Sequence, residues 1–335
     1  MHSRFTASLL ILTFYASPLI WSQGAKEQSI PTPPASSNPQ SLTKVPKGVI
    51  LVKGAWSSAS DSVTPLPEDS TVTNHVFHNQ YFGITFPLPS GWAEKYKGPP
   101  PSESGRYVLA ELAPADAAKA SASASILITA QDLFFTPLPV ASATELVDYT
   151  QHHLQSDYRI EAPPHPTTIA ARDFTFFSYW SPVAELHWYV LTTQLRCHAL
   201  QFVLSSRDRH TLDSLLLDLN KMNFASLDHD SPAAVVPVCL KDYATAENVI
   251  ARVDPVFTEN KSNSIPVRII IGPSGKVKHI HFLSAFPGQA KAISDALSQW
   301  TFKPYLQNFH PSEVETGLTF GRAPTHALPK TPPTH

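Results

Sequence analysis

Charge is scarce in this chain. Only 16% of its 335 residues are charged and the formal net charge is -2, so it lacks the basic stripe that nucleic-acid binding requires. Recognisable catalytic constellations are missing too. No Ser-His-Asp, Cys-His or paired-carboxylate pattern stands out. Gly272-Pro-Ser-Gly275 has no helix N-terminus after it to cradle a phosphate and reads as a hairpin turn. No catalytic residue, cofactor or enzymatic activity is expected. Cysteine is limited to Cys197 and Cys239. The two either form a disulfide or remain buried thiols, and export would favour the bond.

Fifteen histidines raise the question of a metal. His279 and His281 stand two apart on a strand and project from one face. Neither they nor His75/His78, His152/His153 or Cys197-His198 has a third ligand in view, and a two-ligand zinc site is poor. No metal site is assigned.

Proline, by contrast, is abundant, with 32 residues concentrated towards the two ends. The N-terminus reads as an export signal. Arg4 precedes the uncharged stretch Phe5–Trp21, and Ser22 and Gly24 place small residues where a signal peptidase reads, so residues 1–24 form a signal peptide. The alternative is an uncleaved anchor, although the stretch falls short of the ~20 apolar residues a span needs. Residues 25–75 follow as a Pro-rich linker holding one short strand, Gly48–Trp56.

Two globular domains are expected after it. In residues 76–224, Tyr81–Trp92 alternates with period two, and Ser125–Ala130 is a strand. Thr144 caps a helix carrying Leu146, Val147, Tyr149 and Leu154. Three antiparallel strands, Phe174–Trp180, Leu186–Arg196 and His198–Leu204, precede the amphipathic helix Arg209–Met222. Residues 225–245 are a connector. The second domain, residues 246–322, opens with a short helix, Ala246–Val253. Strand Ile265–Ile271 then aligns Ile265, Val267, Ile269 and Ile271 on one face. After the turn come a return strand, Lys276–Ala285, a helix, Gly288–Trp300, and a last strand, Glu313–Phe320. Residues 323–335 form a disordered tail. The fold class expected is α+β in two domains, an antiparallel-sheet sandwich with helices and then a small helix–hairpin–helix–strand domain.

Both domains carry a resemblance. The opening YFGITFPLPSGW (81–92), the strand series at 173–204 and the closing helix resemble the PsbP-like α/β/α sandwich family. Residues 246–322 resemble the C-terminal domain of TonB-family proteins. The matching pieces are the turn Pro273-Ser-Gly-Lys-Val277, the Ala290…Ala296 helix, Trp300-Thr-Phe-Lys-Pro304 and the strand Val314–Phe320. The TonB resemblance implies a protein partner, a segment of an outer-membrane receptor, docked by strand addition on the terminal strand. Its outward set is Glu313, Glu315, Gly317 and Thr319. It also implies a place in the periplasm or cell envelope, with membrane contact only if Phe5–Trp21 stays uncleaved. That case would make the chain a TonB-type energy transducer for outer-membrane transport. Phe5–Trp21, however, holds none of the His those transducers carry in their anchor.

Overall fold

Alternating runs rich in Val, Ile, Phe and Tyr become strands through much of the described part of the chain in a computed structural model. The residues described in it are 50–51, 58–59, 65–98, 105–116, 124–225, 237–258, 263–283 and 285–321. The segments expected to be a signal peptide and a disordered tail, and most of the expected linker, lie outside the described residues.

The elements run β1 (Ile50–Leu51), β2 (Ser58–Ala59), β3 (Ser70–Thr73), β4 (Val76–Asn79), β5 (Ile84–Pro87), β6 (Trp92–Tyr96), β7 (Arg106–Pro114) and β8 (Ser125–Asp132). Next come α1 (Ala143–His152), β9 (Arg159–Ile169), β10 (Arg172–Ser181), β11 (Leu186–Leu195), β12 (His198–Ser206), α2 (Arg209–Leu219) and β13 (Asn223–Phe224). The C-terminal part holds β14 (Val238–Cys239), β15 (Val249–Ala251), β16 (Ile265–Ile271), β17 (Val277–Phe282), α3 (Pro287–Leu297), β18 (Thr301–Phe302), β19 (Tyr305–Gln307), β20 (His310–Ser312) and β21 (Val314–Phe320).

Residues 65–225 are built on a seven-stranded antiparallel sheet, ordered β6-β7-β8-β12-β11-β10-β9. The period-two alternation of β12 explains how both faces are covered. Phe202 and Leu204 join Leu212, Leu215 and Leu219 of α2, together with Phe77, Ile84 and Phe86 of the small sheet β13-β5-β4-β3. Val203 points the other way and packs with Val147 of α1, Phe177 and Val190. Ser142 caps α1 by accepting from the Glu145 amide. Asp208 does the same for α2 through His210 and Thr211.

Residues 237–321 form a second core. Ile265, Val267, Ile269 and Ile271 of β16 meet Ile293 and Leu297 of α3, Trp300, Phe302, Val314 and Phe320. The sheet beneath is β1-β2-β17-β16-β21-β14. Gly275 reverses the β16–β17 hairpin at φ +75, and a side chain there would run into the Phe302 carbonyl.

The expected fold class needs correction. Strands dominate, and among the described residues there are only three helices, so this is not a helix-rich α+β protein. The helix–hairpin–helix–strand domain lacks its first helix. Residues 249–251 are instead strand β15, pairing Val249 with Phe302 and Ala251 with Thr301. Eight residues are too few to sustain a helix unaided. Val249, Ile250 and Val253 are β-branched and Asp254-Pro255 ends the run, so the segment does better covering Phe302 as a strand. The connector contributes β14, and β3 lies within the stretch read as linker.

Candidate functional site

Two neighbouring features of β21 define the site, a covered face and an open edge. The face is the one that alternation assigned outwards. Val314 and Phe320 belong to the C-terminal core, with Leu318 packed against it, so Glu313, Glu315, Gly317 and Thr319 lie on the opposite side. That side is not open to water. Glu315 is fully buried and Glu313 nearly so. Gly317 is backed by Phe134 and Phe135, whose rings leave no room for a Cβ. Among the four, only Thr319 is exposed.

What covers this face is the N-terminal part of the same compact body, residues 46–335. Arg268 of β16 donates to Glu315 Oε1 at 3.2 Å and to Asp132 Oδ2 of β8, and all three groups are buried. Arg196, in the β11–β12 turn, lies 2.8 Å from the second Glu315 oxygen. The Tyr81 hydroxyl donates to Glu315 Oε1 at 2.6 Å. Asp132 Oδ1 accepts the amides of Phe134 and Phe135 at 2.7 and 3.0 Å, fixing those rings against Gly317 and beneath the Arg268 guanidinium. His281 Nε2 is 3.1 Å from Glu68 Oε1 on the same boundary.

The electrostatics follow from this geometry. Burial alone would raise the Glu315 carboxyl. Arg196 and Arg268, helped by the Tyr81 hydrogen bond, outweigh it and hold the group at about 2. Burial disfavours charge on Arg268, yet Asp132 and the other anionic partners more than restore it, so its pKa is raised. His198 lies among Tyr81, Phe82 and Tyr107, with ring centroids 5.3–5.4 Å away. Burial, followed by the field of Arg268, pushes its pKa well down, and it is neutral.

Cys197 and Cys239, the pair left open by the sequence, are bonded to each other across 42 residues. The bond ties the β11–β12 turn, where Arg196 and His198 flank Cys197, to β14. That strand in turn lies parallel to the start of β21, with Val238 opposite Val314 and Cys239 opposite Glu315.

The edge is set by register. Antiparallel strands direct the backbone of alternate residues to alternate neighbours. Val238 N–H donates to the Glu313 carbonyl at 2.8 Å and Leu240 N–H to that of Glu315 at 3.0 Å. Gly317 and Thr319 therefore turn their N–H and C=O the same way, away from β16. Thr319 stands opposite Pro266, whose carbonyl is taken by Leu283 N–H on the other side. Beyond Thr316, whose hydroxyl donates to the Lys241 carbonyl, no described strand pairs with β21 on this edge. A groove runs beside it, lined by Ala244, Ala246, Val249, Trp300, Leu318 and Phe320. Arg252 lies over the Trp300 ring at its rim.

Two other strands are guarded. β9 carries Pro163, Pro164 and Pro166, and β17 is met by β2 through His281 and Ala59. His279 and His281 share a face as expected but are buried at the boundary. Among the described residues, no three His, Cys, Asp or Glu side chains are placed to hold a metal ion. None of the described helices is long and apolar enough to cross a membrane.

Sequence reasoning missed Arg268 and Asp132. A signal was available in Ile269-Ile270-Ile271, because a strand apolar on both faces is covered on both.

One solved structure similar to the chain is the solution structure of cyanobacterial PsbP (CyanoP) from Synechocystis sp. PCC 6803. It is 14% identical, with a TM-score of 0.32, and the match covers 49% of this chain and 96% of that one. No protein-family model and no curated protein matches the chain.

Proposed function

We propose that this chain is an exported protein of the periplasm or cell envelope that binds a protein partner by taking an extended segment as an added strand on β21. In this reading it is a binder and not a catalyst. The observation that carries it is the edge at Gly317–Phe320, which no described strand pairs, where the outward backbone of Gly317 and Thr319 runs beside a groove lined by Val249, Trp300, Leu318, Thr319 and Phe320 with Arg252 at its rim. Backbone pairing supplies affinity in this mode and the groove supplies selectivity. Glu313 and Glu315, also in the sequence-derived set, have carbonyls already engaged by β14, so the site narrows to Gly317 and Thr319. The Cys197–Cys239 bond fits an oxidising compartment. A receptor segment is the partner that the TonB resemblance implies.

The test uses Thr319→Pro. Thr319 does not donate to β16, so proline there removes an outward donor while leaving the sheet's own ladder in place. Peptides are selected from a display library on the full chain, and amide exchange is followed at β21. The reading expects selected peptides to slow exchange at Gly317 and Thr319 and to lose at least tenfold in affinity for the proline variant. Peptides that bind both proteins equally, with no protection at those amides, would remove β21 as the docking edge.

A further inference from the structure

The hairpin β19–β20 contributes little to either core. Its register pairs Tyr305 with Ser312, Leu306 with Pro311 and Gln307 with His310, leaving Asn308 and Phe309 as a two-residue turn. Both turn residues have positive φ, 50° and 66°. Such turns ordinarily take Asn-Gly, and a bulky side chain in the left-handed region is strained. Phe309 at this position is 94% exposed, and Leu306 below it is 56% exposed. A strained backbone that presents an aromatic ring to solvent invites a functional explanation.

Charge is distributed in a particular way around this tip. Pro304–Ser312 contains no Asp, Glu, Lys or Arg. Lys303 lies at the base, exposed. Lys276 reaches the same base, its Nζ 2.6 Å from Thr301 Oγ1. Lys278 is also there but is matched by Glu313 at 2.7 Å. Lys276 and Lys303 have no carboxylate partner among the described residues.

We propose that this hairpin is a membrane-surface anchor, placing Phe309 and Leu306 among the lipids of an anionic bilayer while Lys276 and Lys303 meet the headgroup charge. An apolar tip above a cationic base is the chemistry of interfacial binding. No Asp, Glu, Lys or Arg stands on any side of the stem, where His310 is the one titratable group besides Tyr305, and this suits a surrounding medium more than a one-sided protein pocket. The three strand residues Tyr305–Gln307 rise about 7 Å before the turn carries Phe309 further, a reach that matches the ~5–10 Å over which interfacial elements sit. The strand-addition edge lies on β21, outside this hairpin, so the two sites do not compete for the same residues.

Because Phe5–Trp21 is itself apolar, the test reads the hairpin and not whole-chain binding. Phe309→Trp in the full chain is mixed with vesicles of phosphatidylcholine, alone or with phosphatidylglycerol, containing brominated lipid. The parent chain is subtracted for its native tryptophans. The expected result is quenching at position 309, with partition onto anionic vesicles roughly 30-fold stronger than onto neutral ones, at about a factor of five per lysine. Lys276→Gln with Lys303→Gln should bring the two together. Phe309→Gly relieves the turn, so that variant folds at least as well, and it should lower partition of Lys-intact protein at the hairpin. Absence of quenching on anionic vesicles overturns the proposal and leaves Phe309 to a protein pocket. Equal quenching on both vesicle types overturns it as well.

Discussion

Arg268→Met is the sharpest probe of how the two parts of the chain are held together. Methionine keeps much of the arginine's apolar stem, and so the packing against Phe134, while deleting the charge. Asp132 and Glu315 then lose their shared cation at positions buried from solvent. Removing one partner of a buried pair typically costs ~3–5 kcal/mol. The loss should fall towards the lower end, because Arg196 and Tyr81 still serve Glu315 and two amides still serve Asp132. Urea unfolding at neutral pH, with the disulfide intact, measures it. An exposed pair provides the control: Lys291→Met removes the helical Lys291–Asp295 contact and should change stability by less than ~0.5 kcal/mol. A third variant separates orphaned charge from lost packing. Adding Asp132→Asn and Glu315→Gln to Arg268→Met neutralises both carboxylates and should recover much of the loss. A cost below ~1 kcal/mol for Arg268→Met, or a triple variant no better than the single, would refute the assignment of that cost to buried charge.

Two further outcomes follow from the same boundary. Cys197→Ser with Cys239→Ser opens a 42-residue separation and should lower stability by about 4 kcal/mol in the chain-entropy model; urea midpoints of oxidised, reduced and variant protein compare it, the latter two coinciding. Acid should act in two stages. His198 is neutral when folded and protonates in the unfolded chain, so its contribution is lost as pH falls below the ordinary histidine value of 6.5. Glu315, held at about 2 against an ordinary 4.5, contributes stability that is present above 4.5 and lost as pH falls from there towards 2. Stability against pH in Glu315→Gln should keep only a shallower second limb, supplied by Glu68, whose burial is outweighed by His281 so that its carboxyl is also held down, and a limb as steep as the parent's would contradict its source.

Much of this architecture was legible in the chain. Phe174–Trp180, Leu186–Arg196 and His198–Leu204 alternate strongly enough to place β10 to β12 within a residue or two. The amphipathic pattern of Arg209–Met222 likewise placed α2, which buries Leu212, Leu215 and Leu219 with Leu216 partly buried beside them. What could not be read was which surfaces meet. Glu313, Glu315, Gly317 and Thr319 alternate with core residues just as a solvent-facing set would, and a polar residue has the same letter whether it meets water or a guanidinium. Alternation did supply the backbone direction of Gly317 and Thr319, because that depends only on parity. The helix expected at Ala246–Val253 failed for a related reason. Its fate was decided by Phe302, fifty residues away in sequence, which needed covering.

The buried Arg268–Asp132–Glu315 triad has a consequence for how this chain is handled and how it diverges. A fragment beginning near residue 243 would carry two of the three charges to an uncovered surface, without Asp132, Arg196 or the cystine. Such a fragment is a damaged protein and not a portable module, so binding assays belong on the undivided chain. In descent the same three positions should change together. A relative that loses the guanidinium should have shed one or both carboxylates as well, which makes joint replacement at 132, 268 and 315 a signature by which proteins sharing this arrangement can be told from those that merely share its strands.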